Sequence, residues 1–437
     1  MRDSRELFAS NSGAPDSSSK TPVPVDLLVR GAAEVCSPEG ISALAGSDLG
    51  RVTRLEGGAV AVHGERIVAV GPTKELEARF RAAEVLEAHG GLVVPGFVDA
   101  HTHPVFATTR EAEFELRNQG RGYTEIAAAG GGILSTVQGV REASLELLEA
   151  GLLARLDRFL EAGTTTLECK SGYGLERAAE LRSLEAIAAA NRSHAVDLIP
   201  TYLGAHTLPP EYADRREAYV AAIVQEWLPE VCERGLARYA DVFTESIAFS
   251  LDETRQIAHA ARELGLGVRL HVDQLTSGGG AQLAAEVGAA TADHLEHVSE
   301  AGLAALAEAG VQPVLCPLVP IYLRESAEAP GRRIVETGLA PVLSTDFNPG
   351  SCMLQSLPEV VTFAALRYGF RAAESLTACT LNAAASLGLA EDRGSLEVGK
   401  RADLLVLDLP NLEHLAYEFG RNPVRTVVKS GRIVCQR

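Results

Sequence analysis

No stretch of about eighteen uninterrupted apolar residues occurs in this chain, so no segment reads as a transmembrane helix. The opening segment, MRDSRELFASNSGAPDSSSK, also lacks the continuous apolar core of a secretory signal. Its Ser, Gly and charge content predicts a flexible tail over 1–22. Basic residues are in deficit: Lys plus Arg number 40 against 58 Asp plus Glu, for a net charge of -18. Phosphate backbones and anionic lipid repel such a chain, which argues against nucleic-acid and membrane partners. Paired cysteines are missing too. Seven cysteines, an odd number with no Cys-x-x-Cys spacing, read as reduced thiols rather than a disulfide framework. The expected location is the cytoplasm.

What is present suits a large soluble core. Of the 437 residues, 46% are hydrophobic and 22% charged. The two ends of the chain resemble each other. VDLLVRGA (25–32), GERIVAVG (64–71), ADLLVLDL (402–409) and SGRIVCQR (430–437) are short runs rich in Val, Ile and Leu, bounded by Gly, Asp or Arg. That is strand composition. A small β-sandwich built from 23–92 and 395–437 is the simplest reading, with sheet extensions of one domain as the alternative.

Between them, over 93–394, eight apolar runs each lead into a polar cluster, from LVVPGFVDAHTHP to PVLSTDFN. Segments 141–162, 176–191, 250–264 and 299–309 carry helical spacing between runs. Alternating strand-like and helix-like segments predict an α/β protein with a parallel sheet. Eight units suit a (β/α)8 TIM-like barrel, with a doubly wound open sheet as the alternative. The polar residues favour the barrel. Six of the eight runs end in His, Asp, Glu or Lys, and barrel enzymes gather reactive groups at strand C-terminal ends.

The first run ends in Asp99-Ala-His101-Thr-His103-Pro104. Residues i and i+2 of a strand share a face, so His101 and His103 can bind one ion together. His271, His294 and Asp346 end later runs, and His206 ends the third. Imidazoles with a carboxylate suit Zn²⁺ or Fe²⁺ with one position left for water. The bland alternative is a scatter of satisfied core or surface histidines. Arg110, nine residues past His101, offers a guanidinium fork for a carboxylate. Lys170 could bridge two metals if carbamylated, but reads as structural. Glu245 leaves a two-metal site open. Cys169, Cys316 and Cys352 read as packing residues, and TSGGGAQ (276–282) as a helix start without the Lys of a phosphate loop.

PGFVDAHTHPVF, HVDQ and STDFNPGS resemble the amidohydrolase superfamily. More closely, HTHPVFATTREAEFELRNQG, GYTEIAAAGGGILSTV, ECKSGYGL, YLGAHTLPPEY, STDFNPGSCMLQSLP and HLAYEFGRNPVRTVVKSGRIV are similar to the imidazolonepropionases, over residues 25–437. The resemblance implies hydrolysis of 4-imidazolone-5-propanoate to N-formimidoyl-L-glutamate, the third step of histidine degradation, by metal-bound hydroxide. It implies one divalent metal, Zn²⁺ or Fe²⁺/Fe³⁺, held by His101, His103, His271 and Asp346. Arg110, Tyr123, Tyr173 and His206 would contact substrate, Asn348, Gly350 and Ser351 would line the site, and a homodimer is expected. Gln274 stands where some members have Glu. A neutral amide accepts no proton usefully, so Gln274 would position substrate and the base would be Asp346 or His294. LCPLVPIYLRE departs from the commoner pattern and puts the shape of that wall in doubt. The rivals are a purine or pyrimidine deaminase of the same superfamily and an inactive relative with a structural role. The deaminase's typical HxxE is absent here, since Gln274 follows His271, and the intact ligand set opposes the inactive relative.

Overall fold

Two sheets at the chain ends pack face to face. The computed structural model describes residues 21–121 and 132–437; Tyr123 and all but the last two residues of the expected tail lie outside the described residues. One sheet has four strands, in the order Arg66–Pro72, Gly58–His63, Val23–Arg30, Phe80–Glu87. The other has six: Arg432–Gln436, Val424–Lys429, Leu404–Leu407, Leu92–Pro95, Glu34–Pro38 and Val52–Glu56. Leu27, Val29, Val60 and Val62 of the first sheet meet Val93, Leu404, Val406 and Val428 of the second in one buried cluster. The same-face residues of each strand supply this core, as the period of two requires. Residues from both chain termini pair in the six-stranded sheet, as expected.

Residues 92–95 still pair in that sheet, with Leu404–Leu407 on one side and Glu34–Val35 on the other. We propose that the changeover to the barrel, expected at 93, falls at Gly96. Gly96 runs against the second barrel strand so closely that a Cβ there would lie 2.4 Å from Thr165 Oγ1.

The barrel strands follow in chain order: Phe97–Asp99, Thr164–Lys170, Asp197–Ala205, Tyr239–Thr244, Gly267–Val272, Thr291–His294, Gln312–Leu315 and Val342–Leu343. Each pairs parallel with the next. A parallel bridge between Thr102 and Phe347 joins the chain beyond the first strand to that beyond the eighth, which closes the barrel and rejects the open sheet. Asp99 reinforces the closure by accepting from Thr345 N (3.2 Å) and Thr345 Oγ1 (2.6 Å).

Helices cover the barrel where helical spacing placed them. Leu145–Glu161 starts at Ser144, whose hydroxyl accepts from Leu147 N, and buries Leu148, Leu152, Leu156 and Phe159 along one stripe. Leu251–Glu263 starts in a reciprocal Ser250/Glu253 cap. Gly280–Glu286 begins inside TSGGGAQ, and the Asp273 carboxylate accepts from Gly278 N, Gly280 N and Ala281 N there. All seven cysteines are free, with Cys169, Cys316 and Cys352 buried. No helix among the described residues is long and apolar enough to cross a membrane.

Gly96→Ala should destabilise the protein by about 1–3 kcal/mol, the usual range for overpacking. Denaturant unfolding would measure it, and an unshifted midpoint would contradict the close approach at Thr165.

Candidate metal centre

Five barrel strands deliver the chemistry to one end of the barrel. His101 and His103 follow the first strand, His206 the third, His271 lies in the fifth, His294 ends the sixth and Asp346 follows the eighth. His101 and His294 are fully buried, and His103, His271 and Asp346 nearly so. His103 Nε2 stands 3.4 Å from His101 Nε2 and 3.3 Å from His271 Nε2. Asp346 Oδ1 lies 3.4 Å from His103 Nε2 and 3.6 Å from His101 Nε2, and has no hydrogen-bond partner. Ligands about 2.0–2.1 Å from a tetrahedral zinc sit about 3.3–3.4 Å from one another, so these donors fit a single small cation. Two triads share His101: with His103 and Asp346, and with His271 and His294. His294 therefore belongs to the cluster together with the four expected ligands.

Carboxylates turn the imidazoles inward. His101 Nδ1–H donates to Asp293 (2.6 Å) and His271 Nδ1–H to Asp241 (3.0 Å), so each presents Nε2 to the cluster. Burial holds His101 and His103 well below the usual imidazole range, and brings His271 to about 4 against the pull of Asp241. Neutral rings are what a metal needs.

Cations in turn hold those carboxylates. Lys170 Nζ, fully buried, donates to Glu168 (2.8 Å) and Asp241 (2.7 Å). Burial works against its charge, but Asp241 and Glu168 raise it above the usual lysine range, so it stays an ammonium. Glu168 also accepts from Thr102 N, between the paired histidines. Arg269 reaches Ala100 O at 2.8 Å and lies 3.8 Å from Asp293. Lys170 is thus structural, as expected, but its place behind His271 links it to the site.

Glu245, the residue that would serve a second metal, is engaged by the loop beside it. Glu245 Oε1 accepts from Leu275 N (2.7 Å) and Thr276 N (3.2 Å), and Oε2 from Thr276 Oγ1 (2.7 Å). Its carboxylate is spent on holding the loop after Gln274. No further acidic or histidine cluster with metal-binding spacing occurs among the described residues.

A cavity of about 440 Å³ opens onto the cluster, and Arg110, Tyr173, His206, Gln274, Asn348, Gly350 and Ser351 all line it. Arg110 Nε–H donates to Glu113 at 2.9 Å. At Gly350 a Cβ would come within 2.3 Å of an Arg110 terminal nitrogen, so the missing side chain makes room for the guanidinium. Asn348 Oδ1 accepts from Gly350 N and Ser351 N, which shapes that loop. His206 Nδ1–H donates to Gly172 O at 2.9 Å, and burial, partly offset by that carbonyl, brings its pKa to about 4. Its Nε2 is therefore the unprotonated nitrogen. Leu323 and Glu325, from the divergent LCPLVPIYLRE segment, form part of the wall.

Sequence reasoning missed Asp241, Asp293 and Glu168 behind the histidines, and Glu113 and Arg117 in the cavity wall. The first two had a visible signal: each is an acid inside a barrel run that should be apolar. Two site residues carry strained backbone, His294 at φ 82° and Asp346 at φ 49°, left-handed conformations that non-glycine residues rarely adopt.

Comparison with known proteins agrees with this geometry. The amidohydrolase family profile matches residues 92–434, and the chain belongs to that family. Residues 58–89 match a bacterial imidazolonepropionase-like composite domain. The imidazolonepropionase of Symbiobacterium thermophilum is 48% identical over 94% of this chain and 97% of that protein. That of Myxococcus xanthus is 48% identical over 94% and 98%. Within the amidohydrolases, this chain is a member of the imidazolonepropionase family. Among solved structures, a zinc-bound adenosine deaminase from Xanthomonas campestris superposes with TM-score 0.66 at 22% identity, covering 94% of this chain and 93% of its own. An E. coli guanine deaminase superposes with TM-score 0.67 at 17% identity, covering 94% and 99%. These two share the fold.

Asp241→Asn should loosen the hold on His271 and lower metal affinity about 10–100-fold. Competition with a chelator of known affinity reads this directly, and unchanged retention would remove Asp241 from the site.

Proposed function

We propose that this chain hydrolyses 4-imidazolone-5-propanoate to N-formimidoyl-L-glutamate with one divalent cation, Zn²⁺ or Fe²⁺/Fe³⁺, held by His101, His103, His271 and Asp346. The observation that carries the reading is one cavity with a metal-binding cluster on its floor and the Arg110 guanidinium in its wall. A cyclic amide with a carboxylate tail needs both. When bound, the cation supplies Lewis acidity, bringing a coordinated water's pKa from 15.7 to about 7.

The chain's own groups do the rest. Water oxygen bonds to the ring carbonyl carbon, that carbon's bond to the ring nitrogen breaks, and the nitrogen gains a proton and stays in the formimidoyl group. One water is consumed and no ammonia is released. Asp346, whose Oδ1 has no hydrogen-bond partner in the protein, takes the water's proton and passes it to the departing nitrogen. His294, whose ring lines the cavity beside the cluster, donates to the carbonyl oxygen as charge develops there. Gln274 positions substrate through its amide. His206 Nε2 accepts from a ring N–H, the Tyr173 ring lies tilted against His206, and Asn348, Gly350 and Ser351 shape the loop opposite. Arg110 pairs with the propanoate, and Tyr123 keeps its expected role as a further contact. Free thiols and an acidic surface suit the cytoplasm, and a homodimer is the assembly that the superfamily suggests.

Purified protein should deplete 4-imidazolone-5-propanoate with no matching ammonia and leave guanine and cytosine untouched. A chelator should abolish turnover, and Zn²⁺ or Fe²⁺ should restore it. Truncating one member of a desolvated charge pair costs roughly 2–5 kcal/mol, so Arg110→Met should lower kcat/KM about 30-fold or more. Ammonia released in step with substrate, or full activity without metal, would overturn the reading.

A further inference from the structure

Just past the sixth barrel strand lies a buried acid that the reaction above leaves unused. The Glu296 side chain is 1% exposed, and neither of its oxygens has a hydrogen-bond partner. His294 Nδ1, also without a partner, lies 3.8 Å from Glu296 Oε1. His294 itself lines the cavity, so Nδ1 is the nitrogen turned toward the acid. Left-handed backbone at His294 and Leu295, with φ of 82° and 69°, carries the chain between the two groups. A buried carboxylate with no partners and a strained link are both costs to folding. Neither helps the barrel stand.

We propose that Glu296 is a positioning residue for the hydrolysis: it accepts the Nδ1 proton of His294, which leaves Nε2 to serve the reacting carbonyl. The contact closes to hydrogen-bond length with a movement of roughly 1 Å. This rests on the hydrolase reading above, in which His294 faces substrate. A purely structural Glu296 makes the opposite prediction, because kcat of the folded, metal-loaded enzyme would then survive its removal.

The test uses the full-length, metal-loaded protein and the variants Glu296→Gln, His294→Asn and the double variant. Glu296→Gln should lower kcat about tenfold or more, the scale of a lost acid–base positioning contact, with KM within about twofold. Its metal content should be unchanged. The double variant should be no slower than His294→Asn alone, because both changes break one device. Wild-type kcat in Glu296→Gln, losses that multiply in the double variant, or metal lost together with kcat would overturn the proposal. A second measurement needs neither variant stability nor substrate. Nitrogen-15 spectra of histidine-labelled wild-type protein should show His294 protonated at Nδ1, and a ring protonated only at Nε2 would overturn the role of Glu296. A wild-type enzyme that leaves 4-imidazolone-5-propanoate unreacted would overturn the hydrolase reading instead, and the spectra would still judge Glu296.

Discussion

Imidazole nitrogens held 3.3–3.4 Å apart, with an unpartnered carboxylate oxygen 3.4 Å from one of them, form a buried cluster whose spacing fits one small cation. Their lone pairs point at one another, and burial removes the water that would otherwise separate them. Everything around this point is arranged in shells of alternating character. Behind the imidazoles stand Asp293 and Asp241, and behind those stand Arg269, Lys170 and its second partner, Glu168. Each layer compensates the charge of the one inside it. Fully buried Lys and Arg side chains are rare because desolvation is costly, and here both are held by carboxylates of the metal site. The centre is therefore a property of the barrel's whole mouth-facing half, since its parts come from six different strands.

A closed barrel makes that convergence possible. Parallel strands end on one side, so residues distant in sequence arrive at one face without any loop having to reach for them. His103 N bonds to Phe347 O across the closure, which ties the paired histidines to the chain next to Asp346. Where the required direction departs from the strand's own geometry, the backbone bends to meet it. His294 and Asp346 hold left-handed conformations, and surrounding hydrogen bonds keep them there; Asn348 Nδ2–H, for one, donates to Asp346 O. The sandwich adds stiffness from below: Lys429 of the six-stranded sheet bonds Asp197 of the third barrel strand, and Arg393 pairs with the same carboxylate.

Much of this was legible before any coordinates. The eight strands announced themselves because each apolar run stops at a polar cluster, and the helices because their apolar stripes repeat at helical spacing. His101 and His103 share a face through the strand period alone, and Arg110 followed from its distance past them. What stayed hidden depends on contacts across the barrel. Asp241 and Asp293 sit inside strands as solitary acids, and only the approach of His271 and His101 from other strands gives them partners. The split within 92–99 was equally hidden, since it is one apolar run whose halves pair in different sheets. Glu296 carries no signal in the sequence, and only its burial beside His294 sets it apart.

Gln274 shows how charge at the cavity surface follows from the same constraint. It replaces a possible carboxylate at a buried position, 8% exposed, beside a cluster that already includes Asp346. A second anion there would compete with Asp346 for the proton and repel the substrate's own carboxylate. The neutral amide keeps hydrogen-bonding capacity without adding to that repulsion. Negative charge is instead placed where cations answer it, as Glu113 does on Arg110. The departure from the acidic residue of some relatives is thus compatible with hydrolysis so long as another buried group carries the proton. Asp346 and the His294–Glu296 pair are the groups whose surroundings suit that task.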